Sequence, residues 1–301
     1  MQKAIAELKA ADVGELHFNE PMSLYTTWKI GGPADVMVIP KTKAALVDTV
    51  RILHSHRIPW MIVGKGSNML VTDKGIRGAA ILLGEAFESV RFEQNQVFAG
   101  AAAGIIKLSV LAGKEGLTGL EFAGGIPGTV GGAVYMNAGA HGSDMSRILK
   151  QAEIVLEHGE LATFTRDDMQ FAYRHSILHR QRGIVTEAVF ELAYGDRKEI
   201  AAAMATYKDR RLKTQPLQLP CAGSTFRNPE DGYAARLIEE AGMKGFRVGG
   251  AEVSTQHANF IINTGHATAR DVLSLMETVQ SAVREKCGVE LVPEVLVVGE
   301  R

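Results

Sequence analysis

Apolar positions along the chain fall into short segments with two periods. From Lys43 to His56, the residues Leu46, Val47, Val50 and Leu53 recur at helical spacing and predict an amphipathic helix. Trp60 to Val63 is a continuous apolar run, the pattern of a short buried strand, and it leads directly into Gly64-Lys65-Gly66-Ser67-Asn68. Ile105 to Lys114 predicts a second helix, ending at Gly116. Ala152 to Leu156 and Ile184 to Leu192 predict strands; in the latter, Ala188, Phe190 and Leu192 alternate with Glu187, Val189 and Glu191. The character changes near Tyr194. Arg197 to Lys213 is rich in alanine and charge and predicts one long helix, which Pro216 and Pro220 follow as breaks. A short helix (Tyr233 to Ala241) and a strand (Asn259 to Asn263) come next. The last helix opens on the capping-box pattern Thr268-Ala-Arg-Asp271 and stops at Gly288, before a final strand from Val289 to Val298. The pattern divides into a glycine-rich α+β module up to about residue 195 and a smaller α/β module from about 205, with no fixed repeat.

Composition narrows the class. The 301 residues hold 33 Lys+Arg against 34 Asp+Glu, a net charge of −1, so no basic field for nucleic acid exists. At 46% apolar and 22% charged, the chain is too apolar to be disordered. No apolar run approaches the ~18 residues of a membrane span, so no membrane insertion is expected. The N-terminal stretch interrupts its alanines with Lys3, Glu7, Lys9, Asp12 and Glu15, unlike the apolar core of a secretory signal. Cys221 and Cys287 form no C-x-x-C pair, which argues against a disulfide framework or a zinc site and for reduced thiols in the cytoplasm. His175 and His179 stand four apart, but no H-E-x-x-H pattern accompanies them and no metal is expected.

Glycine is the outlier: 32 residues, roughly 11% against a usual ~7%. It concentrates in two loops, Gly64 to Asn68 and Gly124-Gly125-Ile126-Pro127-Gly128-Thr129-Val130-Gly131-Gly132-Ala133. Neither fits a Rossmann or Walker fingerprint, since position 69 is Met and no G-x-x-x-x-G-K-[ST] occurs. What remains is a pair of backbone nests able to hold a pyrophosphate, or two structural turns. Two such loops in one module favour a dinucleotide.

Further motifs carry a resemblance. Trp28-Lys29-Ile30-Gly31-Gly32-Pro33-Ala34-Asp35, the loop at Gly64, Gly119-Leu120-Glu121-Phe122-Ala123-Gly124-Gly125-Ile126-Pro127-Gly128, and Asn137-Ala138-Gly139-Ala140 resemble the flavin domain of the UDP-N-acetylenolpyruvoylglucosamine reductases. Tyr173-Arg174-x-Ser176, Ala222-Gly223-Ser224-x-Phe226-x-Asn228-Pro229, His257-Ala258-Asn259-Phe260 and Pro293-Glu294-Val295 are similar to that family's active-site motifs. The resemblance spans residues 20 to 298. It implies an α+β fold: an FAD-binding domain of the vanillyl-alcohol-oxidase (PCMH) type in two subdomains, residues 1–80 and 81–200, a smaller α/β substrate-binding domain, 201–292, and a C-terminal strand, 293–301, carrying Glu294. Only about eight residues separate Ser176 from Ile184, which matches the shorter subtype without a tyrosine-bearing insertion.

The implied reaction uses NADPH and non-covalent FAD to reduce the enolpyruvyl ether of UDP-N-acetylglucosamine-enolpyruvate to the lactyl ether of UDP-N-acetylmuramate, for peptidoglycan. Hydride adds to the terminal vinyl carbon, and charge grows on the neighbouring carboxylate as an enolate. That charge calls for a cationic clamp, and the carbon calls for a proton. By the resemblance Arg174 and Glu294 stabilise the enolate and Ser224 donates the proton; Glu294 can donate only if protonated. The resemblance assigns the cofactor to Gly64, Lys65, Gly66, Ser67, Asn68 and Met69, to Gly125, Ile126, Pro127, Gly128, Thr129, Gly131, Gly132, Ala133, Asn137 and Gly139, and to Ile184. It assigns the substrate to Arg210, Lys213, Asn228, His257 and Asn259. No obligate protein partner is implied. Two other readings remain: a flavin oxidase on the same domain, with His141 as the candidate tether, and a nucleotide-sugar-binding regulator without chemistry.

Overall fold

The computed structural model describes residues 1–300. The chain forms two compact units, neither of them continuous in sequence. The first comprises Met1–Phe18, Val36–Gly64 and Gly78–Asp209; the second comprises Asn19–Asp35, Lys65–Arg77 and the chain from Arg210 onward. The chain changes unit between Arg77 and Gly78 and between Asp209 and Arg210, near the expected cuts at 80 and 200, and stays in the second unit past 292.

The first unit contains a five-stranded antiparallel sheet. Its order is Leu161–Thr165, Leu149–Leu156, Gly183–Glu191, Gln96–Gly100, Val90–Glu93. The central strand Gly183–Glu191 was expected to alternate between buried and exposed positions, but Val185, Ala188, Val189 and Phe190 are all buried. A central strand covered on both sides has no solvent face, so its apolar run is nearly continuous. Val185, Ala188 and Phe190 join one core with Leu108 and Ala112 of helix Ile105–Lys114 and Val134 of helix Val130–Tyr135. Ile184 joins another, with Leu46, Val50 and Leu53 of helix Lys43–Ser55 and Ala4 and Leu8 of helix Gln2–Ala10. That core also covers the parallel pair Trp60↔Ala79 to Val63↔Leu82. Thr42 caps the Lys43 helix by accepting from the Ala45 N–H. The long helix expected from Arg197 runs Arg197–Thr214.

The second unit is built on helix Ala269–Cys287. Thr268 and Asp271 close the capping box reciprocally, and Gly288 ends the helix at φ +70°. Helix Ala234–Glu240 and the antiparallel strands Arg247–Val248, Ala251–Val253 and Ile261–Asn263 share its core. Trp28 is fully buried in that core. Its indole N–H donates to Ile261 O at 2.7 Å, and Asn263 Nδ2 donates to Trp28 O at 2.9 Å. The last strand is shorter than expected, Leu296–Val298, and pairs in parallel with Met69–Val71. Glu294 lies before it. Pro293 has no N–H to donate, and it meets Phe226 in a single isolated bridge.

Candidate active site

The three residues expected to carry the chemistry are divided between the units. Arg174 belongs to the first; Ser224 and Glu294 belong to the second.

In the first unit Gly64 approaches Thr129 of the second glycine loop. A Cβ on Gly64 would stand 3.0 Å from Thr129 Oγ1, an approach that a larger residue could keep only by displacing the threonine side chain. Thr129 caps helix Val130–Tyr135 and accepts from the Gly132 N–H at 3.3 Å. The N–H groups of Val130 and Gly131 donate to Ala103 O and Ala101 O, both at 2.9 Å. The first-turn donors are thus consumed by the protein, which differs from the expected open anion nest. The Thr129 hydroxyl still has its own proton to give, and Gly132 is exposed with open space toward it. A backbone cradle with one hydroxyl donor and almost no side chains fits the phosphates of a dinucleotide such as FAD. Ile184 places its side chain in the core.

Asn137 was expected at the cofactor. Its carboxamide is instead spent internally: Nδ2 donates to Ala172 O at 3.0 Å and Oδ1 accepts from Ser146 N at 2.9 Å. That bond to Ala172 supports the turn bearing Arg174. Ala172 and His175 exchange backbone hydrogen bonds across Tyr173-Arg174, and Arg174 sits at φ +53°. A non-glycine residue held in the left-handed region is strained by order 1–3 kcal/mol, the kind of cost found at functional positions. Arg174 Nη2 donates to Gly139 O at 3.0 Å, and its guanidinium stands 5.3 Å from the Tyr173 ring centroid. Ser176 secures the turn from behind by donating to Tyr135 O at 2.6 Å. His141 stacks on Tyr207 with ring centroids 4.0 Å apart.

In the second unit Ser224 lies on a run held along both edges. On one side Thr225 N donates to Asn259 O at 2.8 Å. Asn259 Oδ1 accepts from Phe226 N at 2.9 Å, and Nδ2 donates to Phe226 O at 2.8 Å. On the other side Glu294 N donates to Thr225 O and Arg227 N to Val292 O, both at 2.8 Å. The same segment reaches the first glycine loop: Asn68 Nδ2 donates to Glu294 O at 3.3 Å, and Leu296 N to Asn68 O at 3.0 Å. Gly66, at φ +58°, accepts only a hydrogen there, because a Cβ would overlap Tyr25 O. Thr27 links Gly66 to the Ser224 run, its hydroxyl donating to Cys221 O at 2.6 Å. Lys65, Ser67, Asn68 and Met69 therefore share a unit with Ser224 and Glu294.

Asn259 was expected to touch substrate, but it is 3% exposed and both ends of its carboxamide are closed on Phe226. Asn228 is exposed and caps the helix at Ala234, Oδ1 accepting from Ala234 N at 3.1 Å, which leaves its amide hydrogens to a ligand. Lys213 and Arg210 are exposed near the end of the long helix. Burial, then Lys244, lowers the His257 pKa. His257 Nδ1 lies 3.3 Å from the Asn259 N–H, so in the neutral ring the proton is assigned to Nε2. Burial raises the Cys221 thiol, against the opposing pull of the Gly223 backbone and Arg211. Sequence reading missed Thr225 and Thr27, whose contributions are backbone and hydroxyl bonds to segments remote in sequence.

Two family profiles match the chain: "UDP-N-acetylenolpyruvoylglucosamine reductase, C-terminal domain" over residues 215–298 and "FAD binding domain" over residues 34–165. The chain is 51% identical over 302 residues to the UDP-N-acetylenolpyruvoylglucosamine reductase of Anoxybacillus flavithermus, with 100% of both chains covered. The crystal structure of the reductase from Thermus caldophilus superimposes with a TM-score of 0.81 at 35% identity, covering 94% of this chain and 98% of that one. A variant of Phl p 4, a glucose oxidase, aligns with a TM-score of 0.51 at 14% identity over 64% of this chain and 44% of its own, a likeness of fold alone. The α+β fold with a vanillyl-alcohol-oxidase type FAD domain is the one expected from the motifs.

Proposed function

The chain belongs to the UDP-N-acetylenolpyruvoylglucosamine reductase family, and from that premise we propose how its own side chains carry the reaction. It is an FAD-dependent oxidoreductase that draws hydride from NADPH. Its acceptor is the enolpyruvyl ether of UDP-N-acetylglucosamine-enolpyruvate, and its pathway is peptidoglycan synthesis. The full-length relatives are reductases, so the oxidase reading is not favoured.

FAD, when bound, would supply the two-electron chemistry of the reduction. The protein handles the charge and the proton that follow. Arg174 binds the substrate carboxylate and neutralises the enolate as it forms; a guanidinium keeps its charge at any working pH and binds a carboxylate through two parallel N–H groups. Glu294 is the second group assigned to the enolate, and it can donate a hydrogen bond there only as the protonated acid. Ser224 gives its hydroxyl proton to the carbon beside the carboxylate, completing the lactyl ether, and a proton taken from water converts the resulting alkoxide back to the hydroxyl. Lys213 and the Asn228 amide hold the diphosphate, and neutral His257 offers its Nε2–H to the sugar nucleotide. The Thr129 hydroxyl would donate to the FAD phosphates, and the glycines around it would leave them room.

The observation that carries this reading is Thr225, whose N–H donates to Asn259 O and whose C=O accepts from Glu294 N, so the proton donor and the acid are supported by one ladder. With no second nucleotide fold in the sequence, NADPH and substrate take turns in one cleft, which predicts ping-pong kinetics; intersecting initial-rate lines would reject it. Two cysteines without a pairing partner suit the reducing cytoplasm, the proposed place of action. The deciding experiment is an anaerobic absorbance titration. The yellow protein bleaches with NADPH and recovers on adding the enolpyruvyl substrate; recovery with oxygen alone at the same rate would overturn the reading.

A further inference from the structure

We propose that Asn259 is a positioning residue for proton delivery: its carboxamide, closed on both polar groups of Phe226, fixes the run that carries Ser224 in register with Glu294. The proposal rests on the reading of Ser224 as proton donor.

The geometry is that of a missing strand. Thr225 N finds a backbone partner in Asn259 O, but the 257–260 segment then turns, with Phe260 N bonded back to His257 O at 3.0 Å. Phe226 would be left without a neighbour on that side, although it is 1% exposed. The Asn259 side chain continues the ladder, accepting from Phe226 N at 2.9 Å and donating to Phe226 O at 2.8 Å. A carboxamide offers an acceptor and a donor side by side as a peptide does, without having to be protonated first, and asparagine is the shorter of the two residues that carry one. The opposite edge is already committed to Glu294 N and Val292 O. With both edges tied, the Ser224 backbone has one height relative to Glu294. A serine hydroxyl turns about a single side-chain torsion, so it inherits any backbone slip undiminished.

The test is anaerobic stopped-flow on the FAD-loaded enzyme, following bleaching by NADPH and recovery by the enolpyruvyl substrate separately. Asn259→Asp keeps the shape. Its ionised carboxylate still accepts from Phe226 N but turns a lone pair toward Phe226 O, whereas its protonated form donates as the amide did. At neutral pH recovery is expected to slow on the order of 10²-fold while bleaching stays within about twofold of wild type. The gap to wild type narrows as pH falls. His257 with Lys244 and Glu239 beside it, Glu294 and Arg227 titrate or carry charge around this ladder in both proteins, so the wild-type profile is the baseline. Asn259→Ser, which can rebuild neither bond, slows recovery at every pH and decides the matter if the aspartate variant does not fold. Wild-type recovery in either folded variant, equal slowing of both half-reactions, or no acid rescue in folded Asn259→Asp overturns the proposal. Ser224→Ala run in parallel separates the premise: if it leaves recovery unchanged, the role of Ser224 fails first; if it slows recovery and Asn259→Asp does not, only the brace fails.

Discussion

The Arg174 turn and the Ser224 run solve one problem, aiming a side chain, by opposite means. Arg174 sits at φ +53° in a two-residue turn closed by Ala172 and His175, a strained backbone braced by Asn137 and Ser176. Ser224 precedes a short run with backbone partners on both edges and no positive φ at Thr225 or Phe226. The difference follows from reach. A guanidinium ends a long flexible stem and can correct for a small backbone error, while Nη2 is steadied by Gly139 O at 3.0 Å. A hydroxyl one bond from Cβ cannot. The cation tolerates a strained turn; the proton donor is given a ladder.

The largest effect tests the ladder. Ser224→Ala removes the proton without disturbing Thr225 or Phe226, and the substrate-driven recovery step is expected to slow by about 10³-fold with bleaching by NADPH intact. A variant that recovers at wild-type speed would leave the ladder with nothing to aim. The turn comes next. Arg174→Lys keeps the charge and loses the planar fork, so recovery is expected to fall by about 10²-fold, again in that half-reaction only. If lysine serves as well as arginine, the strained turn is not paid back in bidentate geometry and the comparison collapses.

Local signals made much of the fold legible. The Thr268-Asp271 capping box, the Gly288 stop and the apolar periods at Lys43 and Ile105 are contained in a few consecutive residues, and those helices stand where they were expected. The motifs also reached Arg174, Ser224 and Glu294. What sequence could not show is where a hydrogen bond goes. Asn137 and Asn259 are polar residues in conspicuous motifs and read as ligand contacts, yet their amides close on Ala172, Ser146 and Phe226. Trp28 stands in an N-terminal motif and folds into the core of the C-terminal helix, through a bond to Ile261 across 233 positions. Unit membership was missed for the same reason.

Binding tests the comparison more gently, because Lys213 has a long stem like Arg174 and no ladder. Lys213→Ala is expected to raise the Michaelis constants of NADPH and of the enolpyruvyl substrate by about tenfold each, the worth of one charge-assisted contact. A rise for one substrate alone would mean that the two do not share the phosphate site. Unchanged values for both would remove Lys213 from it.

The smallest effect concerns the capping box that sequence read so well. Four N–H groups open the Ala269 helix region and each has a separate acceptor: Thr268 N and Asp271 Oδ2 at 3.0 Å, Asp271 N and Thr268 Oγ1 at 3.1 Å, and Ala269 N and Arg270 N on the Asp73 carboxylate at 2.8 and 3.0 Å. Thr268→Ala therefore orphans one donor of the four, and an exposed one that water can reach. The expected cost is about 1 kcal/mol or less, a fall of about 2 °C in Tm, with both half-reactions unchanged. The Thr268 N–H lowers the Asp271 carboxyl pKa, so its contribution is present at neutral pH and is lost as pH falls through the depressed value; alanine keeps that N–H, and the acid sensitivity of Tm should survive the substitution. A larger loss of stability would mean that Asp73, 196 positions away and invisible to any local pattern, leans on Thr268 to hold its two bonds.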